Sequence, residues 1–430
     1  DVTFHDGSPV TVDDAVFTWQ RLLDPDSGAT SGALYQANIE SVTAQDGNLV
    51  VRLKQPWPIF LSFVTAIHTK VVRKQVVEAA GDEYGNSVWS GTGPFKIDQW
   101  RRGEQVRLVK ADNTSPQGTA YLDEIVYRTM PEASSRTAAL LAGEIDVVYQ
   151  PAFSDLAQFE GDDRFQVITA PSSTYTGIVF NTGSPLVNDA RVRRALSYAI
   201  DRQALVDSFF YGYAAVAGNL FAPDHWAHDP QISVPFDPAA ARALLAEVGY
   251  DEANPFALTM LVNNNDPIFV DQATAIQAFL QDIGVRLELR PTEYSALVGF
   301  MQGGPEAWPA EAPAAMTSLQ PLRGTAYEFA YYLLGKDGPF NFNYFNKPEG
   351  AQNPELERQM AAAAELSDYI EAEREQARQL YAEISRGLIE DPPELRLNWW
   401  DLVNVTSTRV QDWVPANADN NLLAQVWLSA

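Results

Sequence analysis

The sequence predicts an α/β protein in which strands and helices alternate. Residues 175–181 are β-branched and aromatic, which is typical of a strand, and a turn then leads to a helix with Asp189 at its N-cap. Residues 134–141 predict a helix, and a short turn joins it to a strand at 145–148. Residues 237–248 predict another helix, which Gly249 ends. These helix, turn and strand units are typical of a doubly wound sheet.

Composition limits the class of protein. The chain has 430 residues, and a hydrophobic fraction of 46% is enough for a large core. The formal net charge of −26 argues against a nucleic-acid partner, because phosphate contacts require Lys and Arg. The 10 Trp and 17 Tyr suit recognition surfaces, since their rings combine apolar area with a polar tip. Composition therefore indicates an acidic protein that does not bind nucleic acid.

The sequence contains no cysteine, which excludes disulfides, thiolate metal sites and cysteine nucleophiles. A membrane span would require about 18 consecutive apolar residues, and no such run occurs. No signal peptide is recognisable, because the first residues already belong to a motif.

The first 90 residues predict a small mixed unit. Thr11 and Asp14 resemble a capping box, and the apolar spacing after them predicts a helix to residue 23. Residues 39–44 and 49–54 alternate around an Asp-Gly-Asn turn, which predicts a β-hairpin. Residues 76–84 predict a further helix.

The remaining elements continue the alternation. Residues 106–111 predict a strand, residues 270–282 a helix and residues 284–289 another strand. Residues 371–388 predict a long charged helix, and the two prolines after it would end the helix. Residues 395–405 then predict a return strand.

Five motifs follow one another in chain order. They are F-H-D-G-S-P-V-T-V-D-D-A-V-F-T-W-Q-R-L-L at 4–23, S-G-T-G-P-F at 90–95, L-L-A-G-E-I-D at 140–146, D-A-R-V-R-R-A-L-S-Y-A-I-D-R at 189–202, and D-P-A-A-A-R-A-L-L-A-E-V-G-Y at 237–250. Together they resemble the extracytoplasmic solute-binding proteins of the peptide/nickel family, which serve ABC importers. The first motif is the most specific match.

The resemblance implies a two-lobed α/β fold of the type II periplasmic-binding-protein class, with an extra small subdomain in the first lobe. Relatives carry a further N-terminal segment, which contributes to the first lobe, and we expect this chain to lack it. The implied boundaries are 1–89 for the subdomain, 90–181 with 402–430 for lobe 1, 182–401 for lobe 2, and hinge strands near 175–182 and 397–404.

The resemblance also implies a function without covalent chemistry. A small solute is captured between the lobes by hinge closure, and the closed form is then read by an ABC permease in the inner membrane. We expect a monomer in the periplasm, free or lipid-anchored, with no enzymatic activity and no cofactor.

The aromatic-rich residues 302–345 are the predicted ligand region, although core packing would explain many of these rings equally well. Family members that bind peptides carry an aspartate there, which pairs with the peptide's amino terminus. No aspartate lies between Trp308 and Pro321, and Gln320 stands where an Asp-Pro pair would begin. A buried ammonium needs a partner charge. We therefore expect an oligosaccharide or another neutral polar solute, with a di- or oligopeptide as the alternative.

Nine residues are predicted to contact the solute, from their place in the family's ligand region, on the expected hinge strands, or after the first motif. They are Tyr35, Tyr175, Trp308, Thr317, Ser318, Gln320, Tyr344, Trp399 and Trp400.

The sequence offers two other classes of site. His225 and His228 are three residues apart and could share a metal, but loop histidines at a turn beside prolines are the favoured explanation, and we expect no metal. An α/β hydrolase is the alternative from another class, but the sequence has no G-x-S-x-G nucleophile motif.

Overall fold

The structure is a computed structural model that describes residues 1–27, 32–321, 324–415 and 423–429. Parts of the predicted subdomain, ligand region and C-terminal range therefore lie outside the described residues. The helices are α1 (Val12–Leu23), α2 (Gly32–Asn38), α3 (Phe60–Val64), α4 (Lys74–Ala80), α5 (Ala133–Leu141), α6 (Ala190–Tyr198), α7 (Arg202–Phe209), α8 (Pro238–Glu247), α9 (Pro267–Asp282), α10 (Tyr294–Gln302), α11 (Pro354–Ala364) and α12 (Glu371–Glu390).

The described strands form one large sheet and several small ones. None of the described helices combines the length and apolar character that crossing a bilayer requires. The strands are β1 (Ile39–Gln45), β2 (Asn48–Leu53), β3 (Phe95–Arg101), β4 (Gln105–Lys110), β5 (Glu124–Arg128), β6 (Val147–Tyr149), β7 (Phe165–Ala170), β8 (Tyr175–Phe180), β9 (Ala214–Val216), β10 (Ala257–Asn263), β11 (Arg286–Thr292), β12 (Ala314–Leu319), β13 (Glu394–Trp400), β14 (Leu402–Ser407), β15 (Val410–Gln411) and β16 (Trp427–Leu428).

The chain divides into two compact units. The first comprises Asp1–Ala170 and Leu402–Ala430, and the second comprises Pro171–Asp401. In the first unit, β1 and β2 form the predicted hairpin, while β3-β4-β5 and β6-β14-β7 form two antiparallel sheets. The predicted boundaries of lobes and hinge strands stay predictions.

Helix α1 begins with the predicted capping box. The Asp14 carboxylate accepts a hydrogen bond from the backbone N–H of Thr11 at 3.0 Å, and the Thr11 hydroxyl accepts from the backbone N–H of Asp14 at 3.4 Å. Two of the N–H groups that a helix start leaves without partners are thereby satisfied. The capping box is confirmed, with Asp in the place that Glu or Gln usually takes.

The second unit is built on a six-stranded mixed sheet in the order β11-β10-β12-β8-β13-β9. Strands β11, β10 and β12 run parallel, while β8 pairs antiparallel with both β12 and β13. Every residue of β8 is buried, because helices cover one face of the sheet and loops with α10 cover the other. The predicted strand at 175–181 is thus a central strand.

Two elements are shorter than the sequence predicts. Helix α4 ends at Ala80 because Gly81 follows with a positive φ of 52°, a conformation that stops a helix. The predicted return strand at 395–405 is two strands, β13 and β14, which belong to different sheets. The break falls at Asp401, whose backbone N–H bonds to the Tyr213 carbonyl.

Arg193, in the fourth motif, ties α6 to the start of β13. Its guanidinium is buried and donates to the carbonyl of Pro392 at 2.8 Å and to that of Val187 at 2.6 Å. It also pairs with the carboxylate of Asp391. The motif arginine therefore joins segments about half the chain apart in sequence.

We expect Arg193→Met to lower the free energy of unfolding by about 3–5 kcal/mol, because it leaves a partly buried carboxylate and several carbonyls without their donor. Urea unfolding at neutral pH measures this loss. The matched control is Arg191→Met, two residues earlier, which removes only a solvent-exposed pair with Asp189. Equal losses in the two variants would contradict the anchoring role.

Candidate functional site

Tyr175, at the start of β8, lies in the middle of the large sheet of the second unit. The register places it opposite Leu319 of β12 on one side and Trp399 of β13 on the other. Two residues along β8 is Gly177, where an added Cβ would lie 3.1 Å from the Tyr175 ring. Glycine there leaves room for the ring to lie along its own strand.

The Tyr175 cluster consists of Tyr175, Phe329, Glu394, Arg396 and Trp399, which share one face of the sheet. Tyr175 donates its hydroxyl hydrogen to Glu394 Oε1 at 2.8 Å. Arg396 donates from Nε to the same oxygen at 2.8 Å and from Nη2 to the Phe329 carbonyl at 3.1 Å. A buried carboxylate thus has both a countercharge and a neutral donor, as burial of charge requires.

Aromatic rings enclose the guanidinium of this cluster. The guanidinium carbon of Arg396 lies 4.6 Å from the centre of the Tyr175 ring, a cation–π distance. The rings of Tyr175 and Trp399 are 5.0 Å apart, and those of Phe329 and Trp399 are 5.7 Å apart. Burial raises the pKa of Tyr175 well above its usual value, although Arg396 opposes this shift. Tyr175 therefore remains a neutral hydrogen-bond donor at physiological pH.

Trp400 lies on the opposite face of the sheet from Trp399. Its indole N–H donates to the hydroxyl of Thr176 at 2.7 Å and to the Asn398 side-chain oxygen at 3.0 Å. Its ring stacks on Phe269 of α9. Neighbouring residues of a strand point to opposite faces, so the two tryptophans contact different surroundings.

Trp308 and Tyr344 pack together in a second cluster on the same face as Tyr175. They share it with Leu297 and Met301 of α10 and with Val179 of β8. The Tyr344 hydroxyl donates to the Met301 carbonyl at 2.8 Å. Both rings are buried, so in this structure they hold α10 on the sheet.

Tyr35 is the one predicted site residue that lies in the first unit. Its hydroxyl donates to the Phe63 carbonyl at 3.0 Å, and its ring packs edge-on against Trp19, Trp57 and Phe63. These contacts bury Tyr35 in an aromatic cluster of the first unit.

The exposed fraction of each side chain decides which predicted residues offer surface to a solute. Ser318, Gln320 and Trp400 are half-buried. Thr317 is fully buried and accepts a hydrogen bond from Asn263 at 3.3 Å. The remaining five predicted residues are buried.

Sequence reasoning missed the buried pair Glu394 and Arg396. A signal for it was present, because the two charges lie two residues apart in an apolar strand and therefore share a face. Charges in such a position need partners within the core. The spacing could not predict the partner of this pair, because Tyr175 lies 219 residues away in the chain.

A cavity of about 640 Å³ lies in the first unit. Its walls include β5 and β6, which each pair with one other described strand, and the side chains of Tyr127, Tyr149 and Trp413. None of the nine predicted site residues lines it. Within the described residues, this cavity is therefore not part of the predicted site.

The histidine pair considered as a metal site is held by backbone groups. His225 donates from Nε2 to the Gly324 carbonyl at 3.1 Å and accepts from the Ala227 N–H at Nδ1. His228 bonds from Nδ1 to the Phe221 carbonyl at 3.0 Å. Across the described ranges, no three His, Asp or Glu side chains form a group that could hold a metal ion.

Comparison with known proteins identifies the family. The profile described as bacterial extracellular solute-binding proteins, family 5, middle part, matches residues 1–355. The chain belongs to this family. The assignment to the peptide/nickel family, which rested on five motifs, is confirmed.

Two family 5 relatives show how much of the length is shared. The oligopeptide-binding protein AppA of Bacillus subtilis is 28% identical over 411 residues, which cover 91% of this chain and 72% of AppA. A putative ABC transporter peptide-binding protein of Brucella ovis is 30% identical over 312 residues, which cover 70% of this chain and 58% of the relative. The chain thus spans little more than half the length of the Brucella protein.

Solved structures of the family confirm the fold class. DppA of Helicobacter pylori, in complex with the peptide STSA, has a TM-score of 0.84 at 23% identity, covering 99% of this chain and 84% of DppA. AppA of Bacillus subtilis, in complex with a nonapeptide, has a TM-score of 0.81 at 25% identity, covering 100% of this chain and 86% of AppA. The fold is the two-lobed α/β fold of type II periplasmic binding proteins.

The hydroxyl of Tyr175 should stabilise this family 5 protein measurably. We expect Tyr175→Phe to lower the free energy of unfolding by about 1–3 kcal/mol, because the buried Glu394 carboxylate loses one of its donors. Urea unfolding measures the change. Tyr211→Phe is the control, since that side chain is 60% exposed. Unchanged stability of the Tyr175 variant would show that the hydrogen bond contributes nothing net.

His225 should make stability depend on pH. Burial lowers its pKa to about 4, although the bond to the Gly324 carbonyl opposes this. Its folded-state pKa is below the unfolded value of about 6.5, so protonation favours the unfolded chain. The corresponding stability is present above pH 6.5 and is lost as the pH falls toward 4.

The test compares His225→Asn with the unchanged protein by urea unfolding at several pH values between 7 and 4. We expect the free-energy curve of the variant to fall less steeply in this window, because the titrating group is gone. Parallel curves would mean that His225 does not titrate as its burial implies.

Proposed function

We propose that this protein is the extracytoplasmic substrate-binding component of an ABC importer and that its solute is a di- or oligopeptide. The observation that carries the proposal is the family match over residues 1–355 together with relatives named for peptide binding. AppA and DppA, which share the fold, were solved with peptides bound.

This proposal differs from the neutral, sugar-like solute that Gln320 led us to expect. That expectation rested on one position, where an amide replaces the carboxylate that would pair with a peptide's amino terminus. A peptide also offers a row of backbone N–H and C=O groups to its binding site, and these contribute affinity without any charge. The comparisons favour the peptide, which was the alternative.

Exposure divides six of the predicted residues of the second unit into two roles. Ser318, Gln320 and Trp400 keep part of their surface, and we assign them contact with the solute. Tyr175, Thr317 and Trp399 are buried, and we assign them the support of those contacts through their strands. The binding roles of Tyr35, Trp308 and Tyr344 stay predictions.

Capture requires no covalent step. A solute that binds one conformation of the protein better than another shifts the population toward it by the difference in affinity. The chain passes between its two units twice, after Ala170 and after Asp401, and these crossings are where we expect bending. A membrane permease would then read the solute-bound form.

Peptide binding is tested by thermal unfolding with matched solutes. The panel holds free-amino tetrapeptides, the same peptides with an acetylated amino terminus, and oligosaccharides of similar size. At about 100 times its Kd a true solute adds about 2.7 kcal/mol to the stability of the folded protein. We expect both peptide forms to protect and the oligosaccharides to leave the melting temperature unchanged.

A variant separates the role of Gln320 from the class of solute. Gln320→Asp should strengthen binding of the free-amino peptide relative to its acetylated form, because a carboxylate is restored beside the ammonium. Gln320→Asn is the matched neutral control and should keep the original ratio. Protection by oligosaccharides without protection by peptides would overturn the proposal.

A further inference from the structure

A small cavity lies in the second unit, and none of the three residues assigned contact with the solute lines it. Its volume is about 50 Å³, and a single water requires only about 10–15 Å³. The cavity lies between the first residue of α7, the later turns of α12 and the start of β13. Its polar lining residues are Ser197, Arg202, Asn219, Ser385, Glu394 and Arg396.

Arg202, the last residue of the fourth motif, is a buried charge without a countercharge. Only 4% of it is exposed. Its guanidinium donates to the Arg396 carbonyl at 2.8 Å, to the Ser197 carbonyl at 2.9 Å and to the Ser197 hydroxyl at 2.9 Å. Each acceptor is neutral, and no ion pair within the described ranges includes Arg202, whereas the other buried arginines pair with Asp391 and Glu394.

One N–H group of the Arg202 guanidinium forms no hydrogen bond within the described part of the chain. Arginine carries five N–H groups. Four hydrogen bonds from Arg202 are formed within the described part of the chain, the fourth a long one of 3.5 Å to the Ile200 carbonyl. Burial lowers the pKa of Arg202 to about 10, and no neighbouring carboxylate offsets this. The group still carries its charge at physiological pH.

The charges around the cavity leave an excess of one positive charge. Arg396 is neutralised by Glu394, since Nε and the carboxylate oxygen are 2.8 Å apart. Arg202 remains uncompensated. Removal of a cation from water without a countercharge is costly, so buried charges in proteins are usually paired. One monovalent anion would neutralise the excess positive charge of the cavity lining.

We propose that this cavity is a binding site for a small monovalent anion, chloride under ordinary conditions, held by Arg202. The volume admits a halide ion. Ser385 of α12 also lines the cavity, so the bound anion bridges α7, α12 and β13. This site is independent of the proposed function, because it uses none of the residues assigned to the solute.

The first experiment measures thermal stability in sodium chloride and in sodium gluconate at equal ionic strength, which separates binding from screening. We expect the melting temperature to rise with chloride and to saturate, with bromide acting alike and gluconate giving no such rise. Arg202→Gln should abolish the difference between the salts. Arg242→Gln, which removes an exposed arginine of α8, should keep it. Equal melting temperatures in both salts would overturn the proposal.

A second experiment does not depend on a variant that folds. Crystals of the unchanged protein grown in sodium bromide should show an anomalous scattering peak in the cavity at hydrogen-bonding distance from Arg202. Soaking such crystals in gluconate should remove the peak. A cavity that holds only water in bromide would overturn the proposal, whatever the behaviour of the Arg202 variant.

Discussion

The large sheet of the second unit depends on satisfying polar groups inside a core. Strand β8 is buried along its whole length and β13 along nearly all of it, yet they carry Tyr175, Thr176, Glu394, Arg396 and Asn398. Each of these side chains has a side-chain hydrogen-bond partner in the core, and the partner of Asn398 is Gln272 of helix α9. Because an unpaired polar group in a core is costly, the arrangement has few alternatives. It fixes where Trp400 of β13 points, because its indole N–H bonds to Thr176 and Asn398.

Sequence patterns predicted what depends on neighbouring residues. The hairpin, the capping box at Thr11 and the strand at 175–181 follow from spacing and residue type within a few positions. The contacts of Arg193 with Pro392, and of Tyr175 with Glu394, join residues about 200 positions apart. No local pattern contains that pairing. Resemblance to a family indicated that these motifs matter, whereas their buried, structural use became visible only in three dimensions.

The prediction of the site residues was limited in the same way, because it also rested on local patterns. Aromatic residues of 302–345 are as useful to a core as to a binding surface, and Trp308 and Tyr344 contact α10 in the described structure. Periodicity cannot separate these uses, because both place rings on one face of an element. Gln320 shows a second limit, since one residue that departs from a motif changes one interaction and does not by itself redefine the class of solute.

The central claim is that this family 5 protein binds peptides. The most direct measurement exposes the purified protein to an equimolar mixture of short peptides and oligosaccharides, removes unbound solute by gel filtration, and identifies what remains by mass spectrometry after denaturation. We expect the protein to retain peptides and not oligosaccharides. Retention of an oligosaccharide with the peptides excluded would contradict it.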